Sequence, residues 1–313
     1  MFRVKEIVML LVVFSSMVVG ATWPAETRFL GAYLSWFLMG ILFLAFLKVV
    51  PPAIWETLQR YPIKLAMLTL AKLIVLPCII YLAVAKFLPA YALGILLLAG
   101  VSTGLSASFF AGLVGASIPL VLSMTVVTTL LLPVTLPLIV KVMIGREMHF
   151  DLVHLAGSLA ALIFVPFLAS WLFRRVSSKL SDRVEEYSYP ISLVLFTAMN
   201  LGAFGLYGPF LRAHQAQIIF AVVVSFGLAT FMASMGMVLF RSSPPPERVA
   251  AAGALGWINN VLIIVLGSYF NNPLTSVMAA LYQVPYYFLI IALSHMVRTL
   301  EQRRDIGNLQ HHY

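Results

Sequence analysis

Apolar residues run along this chain in long blocks separated by short polar or charged connections. Ten blocks stand out, at 6–22, 29–48, 63–86, 91–114, 118–144, 152–174, 188–208, 217–240, 248–270 and 274–297. About 20 helical residues cross the hydrocarbon core of a bilayer, so the pattern predicts an all-α polytopic membrane protein with ten transmembrane helices. Tight connections such as Gly115-Ala-Ser117 and Asn271-Asn272-Pro273 join hairpin partners. The longest charged connection, Arg174 to Tyr187, reads as a short amphipathic loop or surface helix. No connection has room for a soluble domain.

Two blocks break the apolar pattern. The fourth contains Val101-Ser-Thr-Gly-Leu-Ser-Ala-Ser-Phe-Phe-Ala-Gly-Leu-Val-Gly-Ala-Ser-Ile-Pro119, with hydroxyls at Ser102, Thr103, Ser106 and Ser108 and helix-loosening Gly104 and Gly112. Backbone groups in hydrocarbon must all be paired, and irregular backbone is tolerated only where it is buried in protein or lines a cavity. Gly, Ala and Ser also favour close helix packing, so this block alone does not decide between a break and a packing face. The ninth block, Ala252-Gly-Ala-Leu-Gly-Trp-Ile-Asn-Asn260, repeats the theme. Each interruption precedes a short turn with proline (Pro119, Pro273) and a proline-bearing span (Pro133 and Pro137; Pro285). Ten spans divide into two fives, 1–144 and 152–297, with a cytoplasmic tail at 298–313. An odd-numbered repeat inverts its second copy, and paired interrupted helices at corresponding places mark the midplane site of many secondary transporters. Spans four and nine are therefore expected to be broken around Thr103–Ser106 and Gly256–Asn259 and to cross each other.

Composition and charge agree. The chain is 62% hydrophobic and 10% charged over 313 residues, against about 45–50% and 25% for a soluble domain. Its formal charge of +9 raises nucleic acid or anionic membrane as partners, but the basic residues sit in short loops between spans. With the N-terminus cytoplasmic, fourteen Lys and Arg fall inside, five outside, and Lys72 lies within a span. That asymmetry places both termini in the cytoplasm. The first span follows Arg3 and Lys5 like a signal peptide, with Val19-Gly-Ala21 as a cleavage site. Its retention is expected, because removal would spoil the charge asymmetry and the repeat. Cys78 lies alone in an apolar span and excludes an internal disulfide. Neither a metal motif nor Gly-x-x-x-x-Gly-Lys is present, and no cofactor is expected. An intramembrane hydrolase would want paired aspartates, a Ser–His pair at depth or a metal, so an enzyme is not expected.

The residues Met39-Gly-Ile-Leu-Phe-Leu-Ala-Phe-Leu-Lys48, Arg60-Tyr-Pro62, Leu76-Pro77, Ser102-Thr-Gly-Leu-Ser-Ala-Ser-Phe-Phe110 and Leu122-Ser-Met-Thr-Val-Val-Thr-Thr-Leu-Leu-Leu-Pro133 resemble the bile acid:sodium symporter (BASS) family, in the form of bacterial homologues of the apical sodium-dependent bile acid transporter. The resemblance covers most of the chain, and its specific part lies in spans four and five. It implies a panel domain (spans 1, 2, 6, 7) and a core domain (spans 3–5, 8–10), in a bacterial cytoplasmic membrane. The departures concern sodium. Sodium-coupled members carry a glutamine five residues before the span-three proline, where this chain has Lys72. Their span-nine Glu-x-Gly-x-Gln-Asn pattern, aligned on Gly256 and Asn259, puts Ala254 at the glutamate and Ile258 at the glutamine. Their span-four Ser-Asn pair falls on Ala107-Ser108, while Thr125 keeps a matching hydroxyl.

Lys72 lies eight residues beyond Lys64, about 12 Å along a helix, so it cannot easily snorkel to the cytoplasmic surface. Burying it costs about 2.5–3.5 kcal/mol on insertion scales. All eleven Asp and Glu residues fall in loops or at span ends, so none compensates it. The ammonium is then solvated in a cavity, held by carbonyls and hydroxyls, deprotonated, or paired with an anionic substrate. The expected function is secondary transport of a small organic anion by alternating access, independent of sodium. Lys72 would act as a tethered cation substitute or as a proton carrier. Ser102, Thr103, Ser106, Ser108, Asn259, Asn260 and, from the panel side, Asn200 are the expected substrate-binding residues. Two alternatives stay open: a sodium symporter using other ligands, and a membrane sensor or partner subunit that does not transport. The expected partners are the substrate and the lipid bilayer, with no nucleic acid, and the pattern is compatible with a monomer. The sequence leaves the substrate unnamed.

Overall fold

The computed structural model describes residues 4–49, 51–145 and 151–310. Arg3, Arg146, Glu147, His149, His311 and His312 lie outside the described residues. The described residues are helical, with no strand beyond one isolated antiparallel bridge.

The helices follow the apolar blocks. The first two blocks form α1 (Val4–Thr22), a short α2 (Pro24–Thr27), a 3-10 turn at Arg28–Tyr33 and α3 (Leu34–Leu47). A connecting helix α4 (Pro51–Arg60) leads into the third block, which holds α5 (Pro62–Leu70), a π-helical segment at Ala71–Val75 and α6 (Leu76–Val84). The widening has a local cause. Pro77 has no N–H for the carbonyl of Leu73 four residues back, and the Leu76 N–H reaches Ala71 O, five back. The fourth block is two helices, α7 (Pro89–Gly100) and α8 (Ala107–Val114), and the fifth is the unbroken α9 (Ile118–Ile144). Gly115 supplies the left-handed turn after α8, with φ 78°, where a Cβ would be strained.

In the second half, Asp151 caps α10 (Leu152–Val176) by accepting from the N–H groups of Val153 and His154 at 2.9 and 3.1 Å. The charged connection is a surface helix as expected, α11 (Ser178–Glu186), followed by α12 (Ser188–Ala213) and α13 (Gln215–Leu239). The ninth block is again two helices, α14 (Pro245–Gly256) and α15 (Asn260–Tyr269). Asn271 takes the left-handed conformation in the next turn, before α16 (Pro273–Leu281) and α17 (Gln283–Gln310).

Seven helical stretches among the described residues are long and apolar enough to cross a membrane: Pro24–Leu47, Pro62–Val84, Ile118–Ile144, Leu152–Val176, Ser188–Ala213, Gln215–Leu239 and Pro273–Leu300. The remaining expected spans differ for identifiable reasons. Blocks four and nine are interrupted, and only Leu11–Thr22 of the first qualifies as a shorter apolar helix. The protein is an integral membrane protein.

The chain divides into two compact units. One comprises Met1–Val49, Phe150–Ala221 and Val261–Ala280; the other comprises Val50–His149, Val222–Asn260 and Leu281–Tyr313. In the first, α12 packs on α1, α2 and the 3-10 turn through Gly202, Gly205 and Gly208, a stripe at helical spacing. A Cβ at Gly202 would lie 2.7 Å from Leu30 C, and one at Gly205 would press on Thr27 Oγ1 and lie 2.8 Å from Arg28 N. Small residues let helix backbones approach where lipid removes the hydrophobic drive for association. We expect Gly205→Ala to destabilise the protein by about 1–3 kcal/mol through overpacking, read as a lower unfolding midpoint in detergent. Gly157→Ala, with nothing within 4 Å of the added Cβ, should leave it unchanged. In the second unit, α14 packs on α9 and α17, and Gly236 of α13 lies against Ala251 and Ala252 of α14. At the start of α14, Glu247 pairs with Lys64 at 2.6 Å.

Candidate functional site: two broken helices tied together

Both interruptions lie in the second unit. Helix α7 ends at Gly100 and Val101 turns extended, with φ −73° and ψ 158°. Helix α14 ends at Gly256 and Trp257 does the same, with φ −84° and ψ 95°. The two extended pieces pair as an antiparallel bridge between Thr103 and Ile258. Gly104 N–H donates to Trp257 O at 2.8 Å, and Asn259 N–H donates to Ser102 O at 2.9 Å. Non-helical backbone thus finds its partners inside the protein, as hydrocarbon demands. Glycine is needed at 104, because a Cβ there would sit 2.7 Å from the Tyr286 hydroxyl and 2.8 Å from Ile258 O.

A helix end leaves its last carbonyls unpaired and carries partial negative charge. At α14 the first of these carbonyls is closed by the cap residue and the last three have each found a donor from elsewhere. Gly253 O accepts from Trp257 N–H at 2.8 Å. Ala254 O accepts from Thr103 Oγ1 at 2.8 Å, Leu255 O from Lys72 Nζ at 3.0 Å, and Gly256 O from the Tyr282 hydroxyl at 2.9 Å. Lys72 projects from the π-helical segment, is 0% exposed, and does not snorkel. Its Nζ donates into the negative end of α14. On the other side, Thr103 N–H donates to Thr128 Oγ1 at 3.0 Å, and Thr125 Oγ1 donates to Gly104 O at 3.2 Å.

The expected site residues divide by what their polar groups do. Thr103 commits both its N–H and its hydroxyl to the protein. Ser102 is buried, with its Oγ 3.5 Å from Asn259 Nδ2. Asn259 is 2% exposed, and its Oδ1 has no hydrogen-bond partner in the protein. Ser106 is exposed and Ser108 half-buried at the start of α8, and Asn260 opens α15. The Ser106 side chain does not cap its own helix. Ala254 and Ile258 are buried, Ala254 through its carbonyl on Thr103 and Ile258 through the bridge. Asn200 is buried in α12 of the other compact unit. Sequence reasoning did not single out Trp257 or Tyr286. Tyr282 and Tyr286 stand one helical turn apart around Pro285 and both reach the second interruption. Tyrosines at that spacing look no different from ordinary packing. Among the described residues, no three His, Cys, Asp or Glu side chains converge to hold a metal ion.

An all-helical integral membrane protein with two interrupted helices tied end to end fits the transporter class. The model of the sodium bile acid symporter family matches residues 36–214, more than half of the chain, and the chain belongs to that family. It is therefore a membrane transporter, not an enzyme. The match includes Lys72 and the first interruption and ends before α14. No curated protein matches the sequence significantly.

Proposed function

We propose that this protein is a secondary transporter of a small organic anion, working by alternating access without sodium. The observation that carries the reading is Lys72 Nζ on Leu255 O at 3.0 Å, fully buried. The family resemblance puts a sodium ligand at this position and a second, acidic one at Ala254. Here an ammonium donates to a carbonyl of the broken helix where a sodium ion would accept lone pairs from oxygen ligands. The acidic ligand has become an alanine, so a second cation would meet a fixed positive charge and no carboxylate.

The acid head group is assigned to the polar groups around the breaks: Ser106 and Ser108 at the positive start of α8, and Asn259 and Asn260 at the start of α15, with Ser102 and Thr103 beside them. Helix N-termini favour anions, and the unpaired Asn259 Oδ1 would accept from a hydroxyl of the ligand. The architecture proposed is ten transmembrane helices in two inverted repeats, 1–144 and 152–297, with a cytoplasmic tail, 298–313, and both termini in the cytoplasm of a bacterial inner membrane. The paired breaks support it. The division into panel and core is supported by the grouping of 1–49 with 150–221 and of 50–149 with 222–260, while Val261–Ala280 groups with the former.

Proteoliposomes test the reading. Counterflow of a monocarboxylate should be the same with external sodium replaced by potassium, and an imposed pH gradient then separates a proton carrier from a facilitator or exchanger. Strong stimulation by sodium would sink the proposal. Absence of flux under every gradient would favour a sensor that does not transport.

A further inference from the structure

One residue outside the expected set bonds to both interruptions. Tyr286, near the start of α17, places its hydroxyl 3.0 Å from Ser106 Oγ in the first break. Its carbonyl accepts from Trp257 Nε1, in the second break, at 3.3 Å. The ring is held edge-on by Phe110 at 5.4 Å between centroids, with Tyr287 at 6.1 Å and Trp257 at 6.4 Å. Gly104 leaves the space that its hydroxyl occupies. Tyr286 is buried, whereas Ser106 is exposed.

We propose that Tyr286 is a positioning residue of the ligand site, orienting the Ser106 hydroxyl as a hydrogen-bond donor toward the bound acid. The proposal rests on the anion-site reading above and adds a residue and a role to it. A serine hydroxyl has one proton and two lone pairs and rotates to suit its partners. A phenol is the better donor of the two hydroxyls, so Tyr286 donates and occupies a lone pair of Ser106 Oγ. The single Ser106 proton is thereby released from the protein and directed outward, toward a carboxylate. The clamped ring makes this orientation a fixed property of the site, so little ordering is left for the moment of binding.

The test is a cycle of variants on the purified full-length protein, reading the dissociation constants of cholate and of unbranched C3–C6 monocarboxylates. For the acid that binds wild type best, S106A should weaken binding about tenfold and Y286F about three- to tenfold, the scale of one hydrogen bond. The double variant should bind no more weakly than S106A alone, and S106T should retain most of the affinity. A Y286F loss of equal size with and without the Ser106 hydroxyl would show that Tyr286 acts through packing, which overturns the proposal. So would unchanged affinity in Y286F beside a weakened S106A. If no acid binds wild type, or S106A leaves every affinity unchanged, the anion-site reading fails and the positioning role fails with it.

Discussion

Replacing Lys72 by methionine is expected to cut transport by about 10–100-fold while leaving the protein folded. Two opposing magnitudes lead to this separation. Removing the ammonium relieves a burial cost of about 2.5–3.5 kcal/mol. It also deletes a charge-assisted hydrogen bond to Leu255 O, worth about 1.5–3 kcal/mol. Methionine is close in length and fills the same apolar surroundings, so these terms nearly cancel in stability. They do not cancel in function if, as proposed, the Lys72 side chain at the negative end of α14 takes the place of a coupling ion. The measurement pairs initial flux in proteoliposomes with the unfolding midpoint in detergent. Wild-type flux in Lys72→Met would remove Lys72 from the mechanism, whereas loss of fold would make its role structural. Lys72→Gln, which restores the amide of the sodium-coupled pattern, should be as impaired as methionine in potassium. Any rescue by sodium would have to come from the amide alone, since Ala254 brings no carboxylate.

Gly104→Ala should have the largest effect on stability. A methyl group at this position would meet Ile258 O at 2.8 Å and the Tyr286 hydroxyl at 2.7 Å. The tyrosine hydroxyl could shift, but Ile258 O is backbone held by the bridge, so the two extended segments must separate. Separation threatens the Gly104–Trp257 and Asn259–Ser102 backbone bonds, and each buried group left unpaired costs about 1–3 kcal/mol. The expected destabilisation is about 2–4 kcal/mol, with loss of transport. Thermal unfolding beside the Gly157→Ala control reads the first, and flux the second. A wild-type midpoint in Gly104→Ala would mean that the two breaks are not stabilised by their pairing.

Helix by helix, much of this was legible in the chain. Apolar blocks of membrane-spanning length predicted helices, because a backbone in hydrocarbon must pair with itself. The interruptions were legible too. Ser102-Thr-Gly104 and Gly256-Trp-Ile-Asn259 put polar groups and glycines where an unbroken apolar helix has no use for them, and the helices stop at these places. The turns at Gly115 and Asn271 announced themselves through residues that tolerate the left-handed conformation. That no carboxylate accompanies Lys72 within a span followed from where the Asp and Glu residues fall along the chain.

What the ammonium of Lys72 touches was decided only in three dimensions. Leu255 O is 183 residues away, and it is available because α14 ends there. A backbone carbonyl leaves no mark in a sequence, since every residue carries one. The π-helical widening that carries Lys72 was hidden for a different reason. In a span apolar on nearly every side, a one-residue change of register leaves no repeating polar face out of step, so periodicity has nothing to report. The same holds for the donors that close the end of α14: Thr103, Lys72 and Tyr282 come from three different blocks. Local sequence determined where the helices had to break, through backbone pairing and glycine. Tertiary packing determined which distant side chains would satisfy the broken ends, because only the folded chain brings those donors within hydrogen-bond reach.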